Sequence, residues 1–446
     1  MNHIAPLVFW GIWLFVPALI DGVTAVASLA GALLIRLRAR RRPPLCFYPL
    51  VSIVVPVYNS GRTLAACLRS FAAQDYPRRR MEVLLINNGS SDDSFAVYAR
   101  LQQELGLTIQ WHSIANKGKA WALNAGIHLA HGQYIFNIDS DTVLAPDAVR
   151  RVVEAFEAEP DLGAVTGAIR VLPPPPGATW KQRVLAGCEF MEYLTAFHIG
   201  REHQTLMGNL YTLSGAFSVF RRDVLLQTFL YSQATVTEDT DLTFELYERF
   251  RDRRIGSVSA AVAYVHPVES LGALYAQRVR WQRGQLEVSA RHSALLRRGV
   301  LRLRGFAPAR TLIIDHTLAF PRLVWTFLLP ALTAFGYEPR LIVGAGIAIY
   351  AFYLAIDGLW LAGGWVHVDR AARGHLRAVL PPLVLLPLYR MLIFWFRLSG
   401  FLHAVAEPGA WRVQDPVTQV RVGLASLRYQ ARATLRRAAA HLRHGG

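Results

Sequence analysis

Acidic residues are scarce in this chain of 446 residues: 31 Asp and Glu stand against 48 Lys and Arg, a formal net charge of +17. Lysine is rarer still. Lys117, Lys119 and Lys181 are the only three, so arginine supplies nearly all of the basic charge. Three widely spaced cysteines (Cys46, Cys67, Cys188) exclude a disulfide framework and a cysteine-based zinc site. Charged residues make up 18% of the chain, below the roughly one quarter of an average soluble domain. Hydrophobic residues make up 53% and the mean hydropathy is +0.25, which excludes a disordered chain. The length suggests more than one structural unit. A basic excess alone fits a nucleic-acid binder or an anionic membrane face equally well.

The apolar residues are unevenly placed. Residues 6–35 form a run interrupted only by Asp21, long enough for one tilted membrane span of about 20 residues and too short for two. Arg36, Arg38, Arg40, Arg41 and Arg42 follow it. The positive-inside rule then puts that flank in the cytoplasm and the N-terminus outside. A cleaved signal peptide carries its charge before the apolar core, whereas Met1 to Pro6 has none, so an uncleaved anchor is expected. Further apolar segments are expected near 318–336, 341–365 and 380–405. The arginines at 370, 373 and 377 predict a cytoplasmic linker between the last two. Pro381, Pro382, Pro387, Arg390 and Arg397 predict an interfacial or re-entrant third segment. The expected organisation is an anchor with its basic flank (1–43), a cytoplasmic domain (44–305), membrane segments (306–405) and a basic tail (406–446).

Between the apolar ends the pattern alternates strand and helix. Val51-Ser52-Ile53-Val54-Val55, Val83-Leu84-Leu85-Ile86 and Tyr134-Ile135-Phe136-Asn137-Ile138 read as buried strands. Leu64, Cys67, Leu68 and Phe71 share one face of a helix. Alternating strands and helices imply a mostly parallel sheet, with ligands beyond the carboxyl ends of its strands. Asp139-Ser140-Asp141 closes the third strand. Two carboxylates two residues apart suit a divalent cation that completes its shell with phosphate oxygens, although an acidic turn is the commoner use of such a pair. Glu238, Asp239 and Asp241 open a helical pattern. They suit either a charged first turn or a general base for a hydroxyl. Gln277-Arg278-Val279-Arg280-Trp281 offers bidentate phosphate donors and a flat aromatic face, or a basic helix against lipid headgroups. Lys117-Gly118-Lys119 gathers two of the three lysines at one loop, where a compact ammonium suits a phosphate.

Taken in order, Val55-Pro56-Val57-Tyr58-Asn59, Asn87-Asn88-Gly89-Ser90, Lys117-Gly118-Lys119-Ala120, Asp139-Ser140-Asp141, Ser214-Gly215-Ala216, Thr237-Glu238-Asp239 and Gln277–Trp281 are far more specific than any one of them. With its membrane flanks, the chain resembles the membrane-embedded family 2 glycosyltransferases, the group of poly-N-acetylglucosamine, hyaluronan, chitin and cellulose synthases. The resemblance is strongest over about residues 50–290. It looks closest to the poly-N-acetylglucosamine-synthase-like branch, including its exosortase-associated members. It implies an α/β glycosyltransferase A-type domain, with a mostly parallel Rossmann-like sheet, flanked by transmembrane and interfacial helices. By the same resemblance, Pro56, Tyr58 and Asn88 would border the nucleotide base. Lys119 would approach the diphosphate, and Asp139 the ribose and diphosphate. Asp141 would hold Mg2+ or Mn2+. Asp239 would be the catalytic base, and Gln277 and Arg280 would grip the diphosphate. Trp281, Ser214, Gly215 and Glu238 would meet the acceptor. One departure stands out: the family's Asp-Asp-Gly-Ser appears here as Asn87-Asn88-Gly89-Ser90, so a neutral amide oxygen replaces the carboxylate facing the uracil N–H.

The activity this implies is metal-dependent, inverting transfer of a sugar from a UDP-sugar such as UDP-N-acetylglucosamine to a growing polysaccharide through β-linkages, at a bacterial inner membrane crossed several times. The expected partners are the UDP-sugar, a polysaccharide or lipid-linked acceptor, membrane lipids and accessory export subunits, with no nucleic acid. Two other readings are transfer of a single sugar to a lipid carrier or glycolipid, and a non-catalytic, nucleotide-binding membrane scaffold.

Overall fold

A computed structural model of the chain describes residues 43–296, 305–312, 327–368 and 381–406, most of 11–38, and four residues within 373–377. The expectations for Arg40, Arg41, Arg42 and Arg370, residues 318–326 of the segment near 318–336, and the tail from 407 lie outside the described residues.

Eight strands form one sheet: β1 (Val51–Val57), β2 (Met81–Asn87), β3 (Thr108–Ser113), β4 (Tyr134–Ile138), β5 (Val143–Leu144), β6 (Leu162–Val171), β7 (Phe217–Arg221) and β8 (Arg254–Val265). Their order is β3-β2-β1-β4-β7-β6-β8-β5. The first four run parallel, and β7 enters antiparallel between β4 and β6. Every residue of β1 is buried, as expected for a parallel strand covered on both faces. On one face, Ile53 and Val55 pack with the helix Leu64–Ala72 (α1), which buries Leu64, Cys67, Leu68 and Phe71 as its spacing predicts. On the other face, Val54, Leu84 and Ile86 pack with Leu123 and Ile127 of the helix Lys119–Leu129 (α2).

The chain runs outward from β1 through β2 to β3, then returns to place β4 on β1's other side. That reversal opens a crevice at the carboxyl ends of β1 and β4. Pro56 lies within β1, paired in register with Ile86. The missing N–H of a proline is tolerated there next to the strand end.

Two helices carry the remaining motifs. Glu238–Arg249 (α3) holds the acidic cluster in its first turn. Leu271–Arg291 (α4) follows β8 and holds Gln277–Trp281. Gly284 of α4 lies against Thr237, where an added Cβ would sit 2.2 Å from the Thr237 Oγ1. Only a residue without a side chain lets α4 approach the start of α3 so closely.

Among the described residues, three helical segments are long and apolar enough to cross a membrane: Trp13–Leu34, Pro339–His367 and Pro382–Ala404. Leu388, Met391, Trp395 and Leu402 point outward on the third, as on a lipid-facing surface. The prolines and arginines predict an interfacial or re-entrant element there. The structure shows a turn, Pro381–Leu385, running directly into the helix Leu386–Ala406 (α5). The prolines fall in the opening turns, where helical N–H groups have no intrahelical partner to lose.

Candidate active site

Three loops close the crevice. After β1, Asn59 adopts a left-handed conformation (φ 50°). Its amide N–H donates to the Ser90 Oγ at 3.0 Å, and its side-chain oxygen accepts from the Ser91 N–H at 2.9 Å. This ties the Pro56–Ser60 loop to the turn after β2. In that turn, the Asn88 N–H donates to the Val57 carbonyl at 2.8 Å, and the Asn88 Oδ1 accepts from the Gly118 N–H at 2.8 Å. Asn88 therefore binds the first turn to the Lys117-Gly118-Lys119 loop. The oxygen expected to face a nucleobase already carries one internal hydrogen bond, leaving one lone pair and the amide NH2 for a ligand.

Lys119 opens α2 and points across the crevice. Its Nζ lies 2.5 Å from the Asp139 Oδ1 and 3.6 Å from the Glu238 Oε1. Desolvation opposes its charge, but the Asp139 and Glu238 carboxylates outweigh that and hold its pKa above the ordinary lysine value. Asp141 opens toward solvent. Crowding by the crevice wall and the adjacent Asp139 charge push its pKa up, against the pull of Lys119. Ser140 between them meets the Ser60 Oγ at 2.7 Å, fixing the turn to the β1 loop.

Pro56, Tyr58, Asn88 and Lys119 line one cleft of about 850 Å³. Asp139, Asp141, Glu238 and Arg280 complete the predicted residues in its wall. Asp239 lies behind Glu238. Its Oδ2 accepts from the Gly215 N–H at 2.9 Å and its Oδ1 from the Thr240 N–H at 2.8 Å. A Cβ on Gly215 would fall 3.2 Å from the Lys119 Nζ and 3.3 Å from the Asp239 Oδ2, so Lys119 and Asp239 flank this glycine. Ser214 is held by its N–H on the Thr166 Oγ1 at 3.2 Å. Ser214, Gly215 and Asp239 thus lie outside the cleft's lining, next to its Lys119 and Glu238. Gln277 and Trp281 lie outside its lining. The Gln277 Oε1 accepts from Arg278 at 2.6 Å, and Trp281 packs edge-on against Phe197 at 5.7 Å.

The buried contacts of three residues, Arg278, Glu189 and Glu192, were missed in the sequence. Arg278 occupies a position the motif leaves unspecified, yet its side chain is only 2% exposed and reaches the Glu192 Oε2 at 2.6 Å. Glu189 and Glu192, three apart in the otherwise apolar stretch Cys188–Tyr193, were the available signal for buried acidic partners.

The carboxylates fit a divalent cation in part. Among the described residues no group of three or more His, Cys, Asp and Glu forms a metal cage. Asp139 and Asp141 supply two neighbouring carboxylates, and desolvation followed by the Asp139 charge raises the Asp141 pKa. That donor set suits Mg2+ or Mn2+ only when phosphate oxygens and water complete the shell.

Residues 52–229 match the family model described as glycosyl transferase family 2. The chain carries a family 2 glycosyltransferase domain. Over 244 residues it is 30% identical to the poly-beta-1,6-N-acetyl-D-glucosamine synthase of Staphylococcus aureus (strain COL), covering 54% of this chain and 56% of that protein. The synthase of the same name from Staphylococcus epidermidis is 31% identical over 241 residues, with the same coverage. The chain therefore spans about half the length of the curated relatives it matches. A mannosyltransferase from Pyrobaculum calidifontis, solved in complex with GDP-Man and Mn2+, superposes with a TM-score of 0.58 at 19% identity, covering 80% of this chain and 98% of that one. It shares the glycosyltransferase domain's fold, a curled, mostly parallel sheet with inserted antiparallel strands.

Proposed function

We propose that the protein is an inverting glycosyltransferase of the cytoplasmic membrane that transfers a sugar, N-acetylglucosamine by relationship, from a UDP-sugar to a growing β-linked polysaccharide. The observation that carries this reading is the convergence of Lys119, Asp139, Glu238 and Asp239 at the carboxyl end of β4. Similarity to two synthases of a β-linked N-acetylglucosamine polymer supports the sugar and the linkage.

In this reading, Pro56, Tyr58 and Asn88 receive the base, and Lys119 and Arg280 the diphosphate. Asp239, oriented by Gly215 and Thr240, takes the proton of the acceptor hydroxyl. That oxygen attacks the anomeric carbon from the face opposite the diphosphate, the bond to the diphosphate breaks, and UDP leaves with inversion. The leaving charge is met by Lys119 and Arg280. Asp141 with Asp139 would hold Mg2+ or Mn2+, which would supply neutralisation of the diphosphate. Trp281, Ser214 and Glu238 position the acceptor.

The test is turnover of the purified full chain in nanodiscs with a panel of UDP-sugars and Mn2+ or Mg2+. UDP release with UDP-N-acetylglucosamine, abolished by EDTA and accompanied by a ladder of products in the mass spectrum, is expected. A single product on a lipid acceptor would favour one-step transfer. Absence of UDP release across donors, metals and acceptors would contradict the reading.

A further inference from the structure

Arg278 of α4 is buried, and four groups surround its guanidinium. Nη2 donates to the Glu192 Oε2 and Nη1 to the Gln277 Oε1, both at 2.6 Å. The guanidinium carbon lies 4.3 Å from the centre of the Trp281 ring and 5.8 Å from that of Tyr193. The planar cation therefore lies against one side of Trp281 while Phe197 closes another at 5.7 Å. A guanidinium held by a carboxylate in a dry site is a rigid plate, because its fork fixes orientation as well as position.

The same Glu192 oxygen accepts a second hydrogen bond, from the Tyr389 hydroxyl at 2.6 Å. Tyr389 belongs to the membrane helix α5. Around it, α5 is stitched to α4 at three more points. The Arg397 Nε donates to the Gln282 Oε1 at 3.0 Å, the Tyr275 and Ser399 hydroxyls meet at 2.6 Å, and a Cβ on Gly400 would sit 2.7 Å from the Gln282 Cβ. The helix that holds Trp281 and the helix that crosses the membrane are locked together along one face. Arg278 stacks on the Trp281 ring and is joined to α5 through Glu192 and Tyr389.

We propose that Arg278 is a positioning residue for sugar transfer: clamped by Glu192 and Tyr389, it fixes the Trp281 ring and makes the placement of that ring depend on the membrane helix α5. The inference rests on the reading of Trp281 as the acceptor platform. It makes Tyr389, a residue remote from the nucleotide cleft, a determinant of acceptor use and not of donor use.

The test uses the full chain in nanodiscs, with UDP-N-acetylglucosamine as donor and an N-acetylglucosamine oligosaccharide as acceptor. Arg278→Lys keeps the charge and loses the planar stack. Tyr389→Phe removes one hydroxyl and spares the fold. Both are expected to raise the acceptor KM, about tenfold and about threefold, while the donor KM stays within about twofold. A second readout needs no turnover. In protein labelled with 5-fluorotryptophan, the 19F resonance of Trp281, identified by its loss in Trp281→Phe, is expected to shift or split in both variants. An unmoved resonance in both variants overturns the proposal whatever the donor. An acceptor KM unchanged in Arg278→Lys but raised in Trp281→Ala overturns the clamp and leaves the platform standing. A wild-type acceptor KM in Trp281→Ala removes the platform and the clamp's role with it.

Discussion

Asn88 and Glu189 show how far a single residue's role can be read from its neighbours in sequence. Asn88 was recognisable as a departure from the family's acidic pair, but its bond to the Gly118 N–H joins residues 30 apart and has no local signature. Asp139, Asp141 and Lys119 were legible because each ends a strand or opens a helix, and such ends converge in a parallel sheet. Glu189 was not legible, since burial is a property of the finished fold. Its carboxylate accepts from the Val268 N–H at 2.9 Å just before α4. Burial, eased by that bond and by Arg278, pushes its pKa up to about 7. A carboxyl whose pKa is raised on folding favours the protonated folded state. Its contribution to stability is present below the unfolded value of 4.5 and is lost as pH rises through about 7. The loss is on the order of 3 kcal/mol at most. Glu189→Gln keeps an acceptor for Val268 and removes the titration. Its melting temperature in detergent is expected to fall less than that of the wild type between pH 5 and pH 8. Parallel curves would show that the carboxyl does not titrate there.

At the scale of elements, the parallel strands and α1 declared themselves through continuous apolar runs and a clear helical period. The prolines at the start of α5 are compatible with a continuous helix because position within a helix, not proline content, decides whether a turn breaks. The contact of Gly284 with Thr237 was equally hidden, since it joins two helices 47 residues apart in sequence. It makes a sharp prediction. Gly284→Ala places a methyl group where Thr237 stands, so the start of α3 must move and carry Glu238 and Asp239 with it. Overpacking of this kind costs about 1–3 kcal/mol. A larger effect is expected on the rate, with kcat reduced at least about tenfold while the protein still inserts and binds UDP. Full activity in Gly284→Val would show that α3 has slack at its first turn.

For the whole molecule, the apolar helices are tied to one another and to the glycosyltransferase domain by polar contacts. Within them, Asp357 is fully buried and pairs with Arg390, whose Nη2 lies 2.5 Å from the Asp357 Oδ1. Asp357 and Arg390 join the helices 339–367 and α5, and α5 in turn is bonded to α4 and Glu192. Sequence reading flagged Arg390 as awkward for a span but had no means of finding its partner 33 residues earlier. Removing one member of a buried pair typically costs about 3–5 kcal/mol, whereas replacing both with apolar residues is often neutral. Asp357→Ala is therefore expected to unfold at markedly lower temperature in detergent, and Asp357→Leu combined with Arg390→Met to recover most of the loss. Equal stability of the single and double variants would show that the pair does not bridge the helices.

The central claim is that the cleft beyond β1 and β4 transfers sugar with Asp239 as the base. It is tested most directly by Asp239→Asn, which keeps the size of the side chain and removes the basic oxygen. The measurement is UDP release from UDP-N-acetylglucosamine by the wild type and the variant in nanodiscs, alongside UDP affinity by titration. The expected result is unchanged UDP affinity with release slowed at least about a hundredfold, in line with the contribution of a general base. Release at the wild-type rate would contradict the assignment, and with Glu238→Gln inactive it would move the base one residue toward the cleft.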